Sequence, residues 1–151
     1  MHGIRRDRRS DGVRVALTEQ ERELMRQLCE RLAAEVEVGA EDEGLSRLFP
    51  AAHRDDPDAA AEFEQLARPG LADGKVAALR RVEATAADVR LGAEDAQAWL
   101  TALNDVRLVL GTRLGVTEDP DAHDLAHPGY AVYAWLTWLQ GELIEALAAA
   151  L

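Results

Sequence analysis

The 151-residue sequence is poor in cysteine and in aromatic residues. Its single cysteine, Cys29, excludes an intramolecular disulfide and therefore a disulfide-stabilised scaffold. Aromatic residues make up 5% of the chain and hydrophobic residues 48%, so leucine, alanine and valine must build most of the core. No apolar run approaches the roughly 20 residues of a membrane span, and the start MHGIRRDRRSDG lacks the apolar stretch of a secretory signal. These absences predict a cytoplasmic protein with no membrane contact.

Positive charge is also scarce, and much of it lies at the N-terminus. The net charge is −11, yet Arg5, Arg6, Arg8 and Arg9 precede a body with 13 basic and 27 acidic residues from Ser10 onward. We expect residues 1–12 to be a disordered arginine-rich arm and residues 13–151 to be one helical domain. Direct binding to duplex DNA is not expected, because the acidic body repels phosphate. The arm would either contact an acidic surface or nucleic acid, or be a solvated tail.

Hydrophobic periodicity predicts an all-α, single-domain bundle of about five helices. The helices are expected at about 18–38, 57–67, 71–86, 93–114 and 128–151. Thr18 and Glu21 form a capping-box sequence at the first of them, and Gly115 is the stop signal of the fourth. Two extended segments, 13–17 and 89–91, are predicted to pair as a small two-stranded β-ribbon.

Arg107 is the unusual residue of the long helix. A helical wheel places it between Leu103 and Leu114 on the apolar face, where an unpaired guanidinium is costly. We therefore expect an internal ion pair between Arg107 and a carboxylate, for which Glu62, Glu64 and Glu83 are candidates. The alternative is an anion site formed by Asn104, Arg107 and Arg113. Asp105 lies outside the apolar stripe and is predicted to be dispensable for stability.

Two further groups suggest binding. His123 and His127, four residues apart with Asp121 nearby, are weak candidates for a transition-metal site, and a flexible acidic loop is the alternative. The last helix carries Trp138 and Trp135 away from the centre of its apolar stripe. Exposed tryptophans are enriched at protein interfaces, so both are candidates for contact with a partner or a second copy; packing beneath the acidic loop is the alternative for Trp138. No catalytic motif is present, so neither an enzyme nor a cofactor is expected.

Four segments carry a resemblance to a known family: LTEQERELMRQL, LFPAAHRDDPDAAAEFEQL, WLTALNDVRLVLGTRLGV and YAWLTWLQGELIEAL. They resemble the AosR-like oxidative-stress transcriptional regulators of actinobacteria, over nearly all of residues 13–149. The resemblance implies an intracellular helical regulator that acts through protein–protein contacts with the transcription machinery. A small-molecule-responsive or metal-responsive domain and a structural dimerisation adaptor are the alternatives.

The same resemblance implies a redox switch of two cysteines spaced Cys-x-x-x-Cys, from which this chain departs. Met25 and Ala33 stand four residues either side of Cys29, and no second cysteine exists. Cys29 is therefore a redox candidate only for intermolecular chemistry, and its position at the edge of an apolar stripe favours a buried packing role.

Overall fold

The computed structural model describes residues 1–40, 42–49, 56–116 and 126–149. The described residues form six helices and one small antiparallel sheet. In chain order the elements are β1 (Gly3–Arg6), β2 (Val13–Ala16), α1 (Glu19–Glu37), α2 (Glu43–Ser46), α3 (Pro57–Leu66), α4 (Arg68–Thr85), β3 (Arg90–Leu91), α5 (Ala93–Leu114) and α6 (Pro128–Ala148). The prediction of a helical bundle with a small β-element is confirmed.

The long helices pack in the order α1, α4, α5, α6, and β1 covers part of α6. α4 therefore lies between α1 and α5, while α5 also contacts α6 and the short α2. Trp99 lies at the centre of the bundle with no exposed surface, and its indole N–H donates to the Thr85 hydroxyl at 2.7 Å. That bond satisfies the polar atom of the largest buried side chain.

Local sequence features set the helix ends as predicted. Thr18 Oγ1 accepts from the backbone N–H of Glu21, whose carboxylate accepts in return from the Thr18 N–H at 2.9 Å. α5 ends at Gly115, whose φ of 71° is a left-handed conformation that glycine adopts without strain. The break between α3 and α4 differs from the prediction: it falls at Ala67, and α4 begins at Arg68 instead of at about Leu71. Proline is tolerated in the first turn of a helix, where Pro69 lies.

The sheet has the order β1-β2-β3, and both pairings are antiparallel. The predicted ribbon is confirmed, since Val13 pairs with Leu91 and Arg14 with Arg90. The prediction of a disordered arm is wrong for residues 3–6, because β1 extends the ribbon by a third strand. Ile4 anchors that strand in the core with 1% of its surface exposed.

Arg22 joins the sheet to the helices. Its guanidinium donates to the backbone carbonyls of Val15 and Leu17 on one side and of Ala86 and Asp88 on the other. These carbonyls lie where β2 leads into α1 and where α4 leads into β3. One side chain thus fixes the sheet at the end of the bundle.

Candidate interaction surface

The outer face of the sheet carries a row of arginines. The register pairs Arg5 with Arg14 and Arg14 with Arg90, so the three side chains stand next to one another across three strands. The opposite face of the sheet is apolar, with Ile4, Val13, Val15 and Leu91 each at most 3% exposed. The sheet therefore separates a buried apolar face from an exposed cationic one.

The turn between β1 and β2 is ordered around Asp7. Its carboxylate accepts from the Arg9 backbone N–H at 3.0 Å and from the Ser10 hydroxyl at 3.1 Å, while its own N–H donates to the Gly12 carbonyl. The hydrogen bond from the Arg9 backbone N–H is the main cause of the lowered pKa of Asp7. Gly12 is required here, because a Cβ would collide with the Leu91 carbonyl oxygen. The arginine-rich turn is therefore held in place rather than a disordered tail.

The arginine row borders a concavity of about 460 Å³. Its lining includes six arginines, namely Arg5, Arg6, Arg8, Arg9, Arg14 and Arg90, which we call the arginine face. Arg90 lies 3.9 Å from the Asp7 carboxylate. Within the part of the chain that the structure describes, the other five guanidinium groups have no carboxylate within 4 Å.

The expectation for Arg107 is wrong. Its guanidinium lies over the Tyr133 ring, 4.8 Å from the ring centroid, and its Nε donates to the Thr137 hydroxyl at 2.8 Å. Among the described residues no carboxylate forms an ion pair with it. Of the expected partners, Glu83 pairs with Arg80 instead, and the side chain of Glu64 lies outside the described residues. Arg107 is half-buried and stacks on an aromatic ring, which suits a planar cation.

The buried charge of α5 is Asp105, two residues before Arg107. Only 2% of Asp105 is exposed, and the Lys75 ammonium of α4 lies 3.2 Å from both of its carboxylate oxygens. Burial raises the pKa of Asp105, and the nearby Lys75 partly opposes that effect. The sequence-based view of Asp105 as dispensable is inconsistent with this geometry.

The alternative anion site of Asn104, Arg107 and Arg113 is not assembled either. The Arg113 guanidinium binds the carboxylates of Glu35 and Asp42 at 2.9 and 2.8 Å, which ties α5 to α1 and to the start of α2. Asn104 accepts from the Gln140 amide at 3.4 Å. Asn104 and Arg107 therefore both contact α6, whereas Arg113 contacts α1 and the start of α2.

Cys29 is buried, with 1% of its surface exposed, as its position at the edge of the apolar stripe indicated. Burial, together with the nearby negative charge of Glu83, raises the pKa of the Cys29 thiol to about 12. Because the thiolate is the reactive form, this thiol is a poor nucleophile at neutral pH.

The two candidate interface tryptophans pack within the chain. Trp138 stacks on the His2 ring with centroids 5.0 Å apart, so the N-terminal segment contacts it. Residues 117–125 of the acidic loop, the predicted alternative, lie outside the described residues. Trp135 donates from Nε1 to the Glu21 carboxylate at 2.8 Å. Both side chains are partly buried against the core. Both tryptophans therefore have contacts within the chain, and a contact with a partner stays a prediction.

Glu21 links three segments of the chain. Burial would raise its pKa, but bonds from the Thr18 N–H, His2 and Trp135 outweigh it and lower the pKa to about 2. His2 Nε2 lies 2.8 Å from one carboxylate oxygen. Glu21, a member of the α1 capping box, thus also binds α6 and the N-terminal segment.

The predicted metal site falls largely outside the described residues, which exclude His123 and Asp121. His127 caps α6, with its Nδ1 accepting from the Gly129 N–H at 2.9 Å. No group of three or more potential metal-binding side chains occurs within the described ranges. Across the same ranges, none of the helices combines the length and hydropathy of a membrane span.

A profile described as "Domain of unknown function (DUF2017)" matches residues 1–147. The chain belongs to this family. It is 35% identical over 128 residues to the "Oxidative stress regulator AosR" proteins of Mycobacterium bovis and Mycobacterium tuberculosis, an alignment that covers 70% of this chain and 58% of each relative. The "Putative oxidative stress regulator AosR" of Mycobacterium leprae is 34% identical over 97 residues, covering 59% of this chain and 45% of that protein.

The chain thus spans less than two thirds of the length of these curated relatives. No solved structure matches it. The family match includes the arginine-rich N-terminus, because it begins at residue 1. β1 and its turn therefore lie within the DUF2017 match and do not precede it.

Proposed function

We propose that this chain is a cytoplasmic regulatory protein of the oxidative-stress response that acts by contacting other proteins, among them the transcription machinery. Homology to proteins named as oxidative stress regulators is the observation that carries the proposal. The relatives carry the name of a regulator and not of an enzyme, which supports a role without catalysis.

The regulation is independent of an intramolecular thiol switch. A disulfide within the chain requires two cysteines, and the sequence has one. An intermolecular disulfide requires an accessible thiolate, whereas Cys29 is buried and its pKa is raised to about 12. The chain therefore responds to oxidative stress through its partners and not through its own sulfur.

Gene deletion with complementation tests the regulatory role. Transcripts are measured before and after peroxide in the parent, the deletion strain, and strains complemented with the wild type or Cys29→Ala. We expect the deletion to alter the peroxide response and both complements to restore it. An unchanged response in the deletion strain would contradict the regulatory role. A Cys29→Ala protein that is present at wild-type levels but fails to restore the response would contradict the thiol-independent mechanism.

Thiol labelling of the purified protein tests the same point directly. Iodoacetamide is added to the native protein and to protein unfolded in urea. We expect native Cys29 to remain unmodified while the unfolded thiol reacts readily. Rapid modification of the native thiol would show an accessible thiolate and contradict the mechanism.

Affinity purification tests the choice of partner. A tagged chain is recovered from native lysate and the bound proteins are identified by mass spectrometry, with a tagged unrelated acidic protein as the control. RNA polymerase subunits or a sigma factor, enriched over the control, are the expected result. Their absence would contradict the transcription-machinery part of the proposal.

A further inference from the structure

The arginine face is the main cationic feature of an acidic molecule. Without these six charges the net charge of −11 becomes −17. The three arginines of the row are exposed, and Arg5 and Arg14 have no carboxylate within 4 Å in the described structure. Asp7 lines the same concavity, and Glu142 and Glu145 line a neighbouring one with Arg5, Arg6 and Arg8. Among the described residues, however, only Arg90 of the six arginines has a carboxylate within 4 Å.

The arrangement works against the stability of the sheet. Like charges directly opposite one another on neighbouring strands destabilise the pairing, and here two consecutive cross-strand pairs are arginine with arginine. Features that cost stability without a local compensating contact are typical of functional sites. We therefore expect the row to bind a partner with negative charge.

The backbone under the row is held by contacts within the chain. Asp7, Ser10 and Gly12 hold the turn through hydrogen bonds, and Ile4 anchors β1 in the core. A preorganised surface loses less conformational entropy on binding than a flexible arm does.

We propose that the arginine face binds an acidic helical segment of a partner protein. Adjacent strands lie about 4.8 Å apart, so the row spans roughly 10 Å across the three strands. Carboxylates at positions i and i+4 of a helix are about 5–6 Å apart at Cβ, which matches that spacing. Each arginine then receives one carboxylate, with two parallel N–H···O bonds per pair. This inference deepens the proposed function and rests on it only for the expectation of a protein partner.

Nucleic acid fits the surface less well. A duplex carries about one charge per 1.7 Å and continues well beyond a 10 Å row, so it would extend over the acidic remainder of the molecule. A short acidic segment stays within the row, where the arginines are closer than one Debye length of about 8 Å at physiological salt. Because the arginine face is short, we expect it to bind a short acidic segment in preference to a long duplex.

Fluorescence anisotropy with the full chain tests the proposal. The probes are a labelled helical peptide with glutamates at i and i+4 and labelled single-stranded and duplex DNA, each titrated at low and at physiological salt. The test variant is Arg5→Gln/Arg14→Gln. The matched control is Arg31→Gln/Arg47→Gln, which removes two exposed arginines that also lack a described carboxylate partner.

We expect the peptide to bind more tightly than either DNA and to weaken as salt rises. The test variant should lose at least about fivefold in affinity, and the control less than about twofold. Tighter binding of DNA would assign the face to nucleic acid and overturn the proposal. So would equal losses in both variants, no measurable peptide binding at low salt, or a self-association that only the test variant abolishes. Because every component is purified, these outcomes are independent of the transcript measurements.

Discussion

The buried face of α5 and the outer face of the sheet differ in whether their charged side chains are paired. In the helix, Asp105 is 2% exposed and both of its oxygens face the Lys75 ammonium at 3.2 Å. On the sheet, Arg5 and Arg14 stand side by side in water with no described carboxylate partner. The first charge is matched within the molecule, and the second is not.

The difference follows from solvation. Asp105 is buried and the Lys75 side chain is only 21% exposed, so removing either partner leaves the other charge poorly solvated. Selection for stability therefore keeps such pairs together. Exposed like charges are partly screened by water and salt, so their mutual repulsion costs less than a broken buried pair, and they persist where function needs them. We therefore assign Asp105 a structural role and the arginine row a role in recognition.

The largest expected effect comes from breaking the buried pair. Asp105→Ala leaves the Lys75 ammonium without its carboxylate, and we expect a loss of about 3 kcal/mol in the free energy of unfolding, measured by urea denaturation. The control is Asp95→Ala, which removes an exposed ion pair with Arg81 and should cost about 0.5 kcal/mol. Equal losses in the two variants would show that burial of the pair does not matter.

The second effect concerns Glu21, a partly buried carboxylate that several donors satisfy. Glu21→Ala removes the capping box of α1 and the bonds from His2 and Trp135, and should cost about 2 kcal/mol. Glu23→Ala, which removes an exposed pair with Arg26, is the control and should cost about 0.5 kcal/mol.

The Glu21 effect should also depend on pH. The folded-state pKa of about 2 lies below the ordinary value of 4.5, so the stabilisation is present above pH 4.5 and is lost as pH falls towards 2. The difference in stability between wild type and Glu21→Ala should therefore shrink across that interval. A difference that stays constant down to pH 2 would contradict the lowered pKa.

Arg107→Ala should have a smaller effect, about 1 kcal/mol, because it removes one contact with Tyr133 and one hydrogen bond to Thr137. The free energies of unfolding of Arg107→Ala and Asp105→Ala, measured side by side by thermal or urea unfolding, give the comparison. A larger loss for Arg107→Ala than for Asp105→Ala would restore the ion-pair role that its place on the helical wheel suggested.

The smallest effect has the opposite sign. Arg5→Gln/Arg14→Gln removes a repulsive cross-strand pair and should stabilise the protein by about 0.5 kcal/mol. Arg31→Gln/Arg47→Gln, which lies outside the sheet, should leave the unfolding free energy nearly unchanged. A clear loss of stability in the sheet variant would mean that these arginines support the fold.

Local signals in the sequence predicted the helices and the ribbon well. The Thr18 and Glu21 capping box and the stop at Gly115 act within a few residues, so they are visible in the sequence alone. The ribbon followed from two short extended segments that resemble one another. β1 was missed because Ile4 is its only buried residue with a side chain, and the arginines that follow resemble a solvated tail. The turn chemistry of Asp7, Ser10 and Gly12 was the available signal.

The roles of Asp105 and Arg107 could not be predicted because they depend on tertiary packing. A helical wheel gives the periodicity of a helix but not how many of its sides are covered. α5 contacts α4 on one side and α6 on another, so a residue outside the main stripe is buried against α4. The interface role of Trp135 and Trp138 was similarly predicted from periodicity alone. In the described structure Trp135 contacts α1 and Trp138 contacts the N-terminal segment.

A titration of the acidic peptide against Asp105→Asn and Arg5→Gln/Arg14→Gln, under conditions where both variants are folded, most directly tests whether buried and exposed charges have separate roles. The account predicts that Asp105→Asn binds the peptide with wild-type affinity although it is less stable, and that the arginine variant binds at least about fivefold more weakly although it is no less stable. Loss of affinity in Asp105→Asn, or wild-type affinity in the arginine variant, would contradict it.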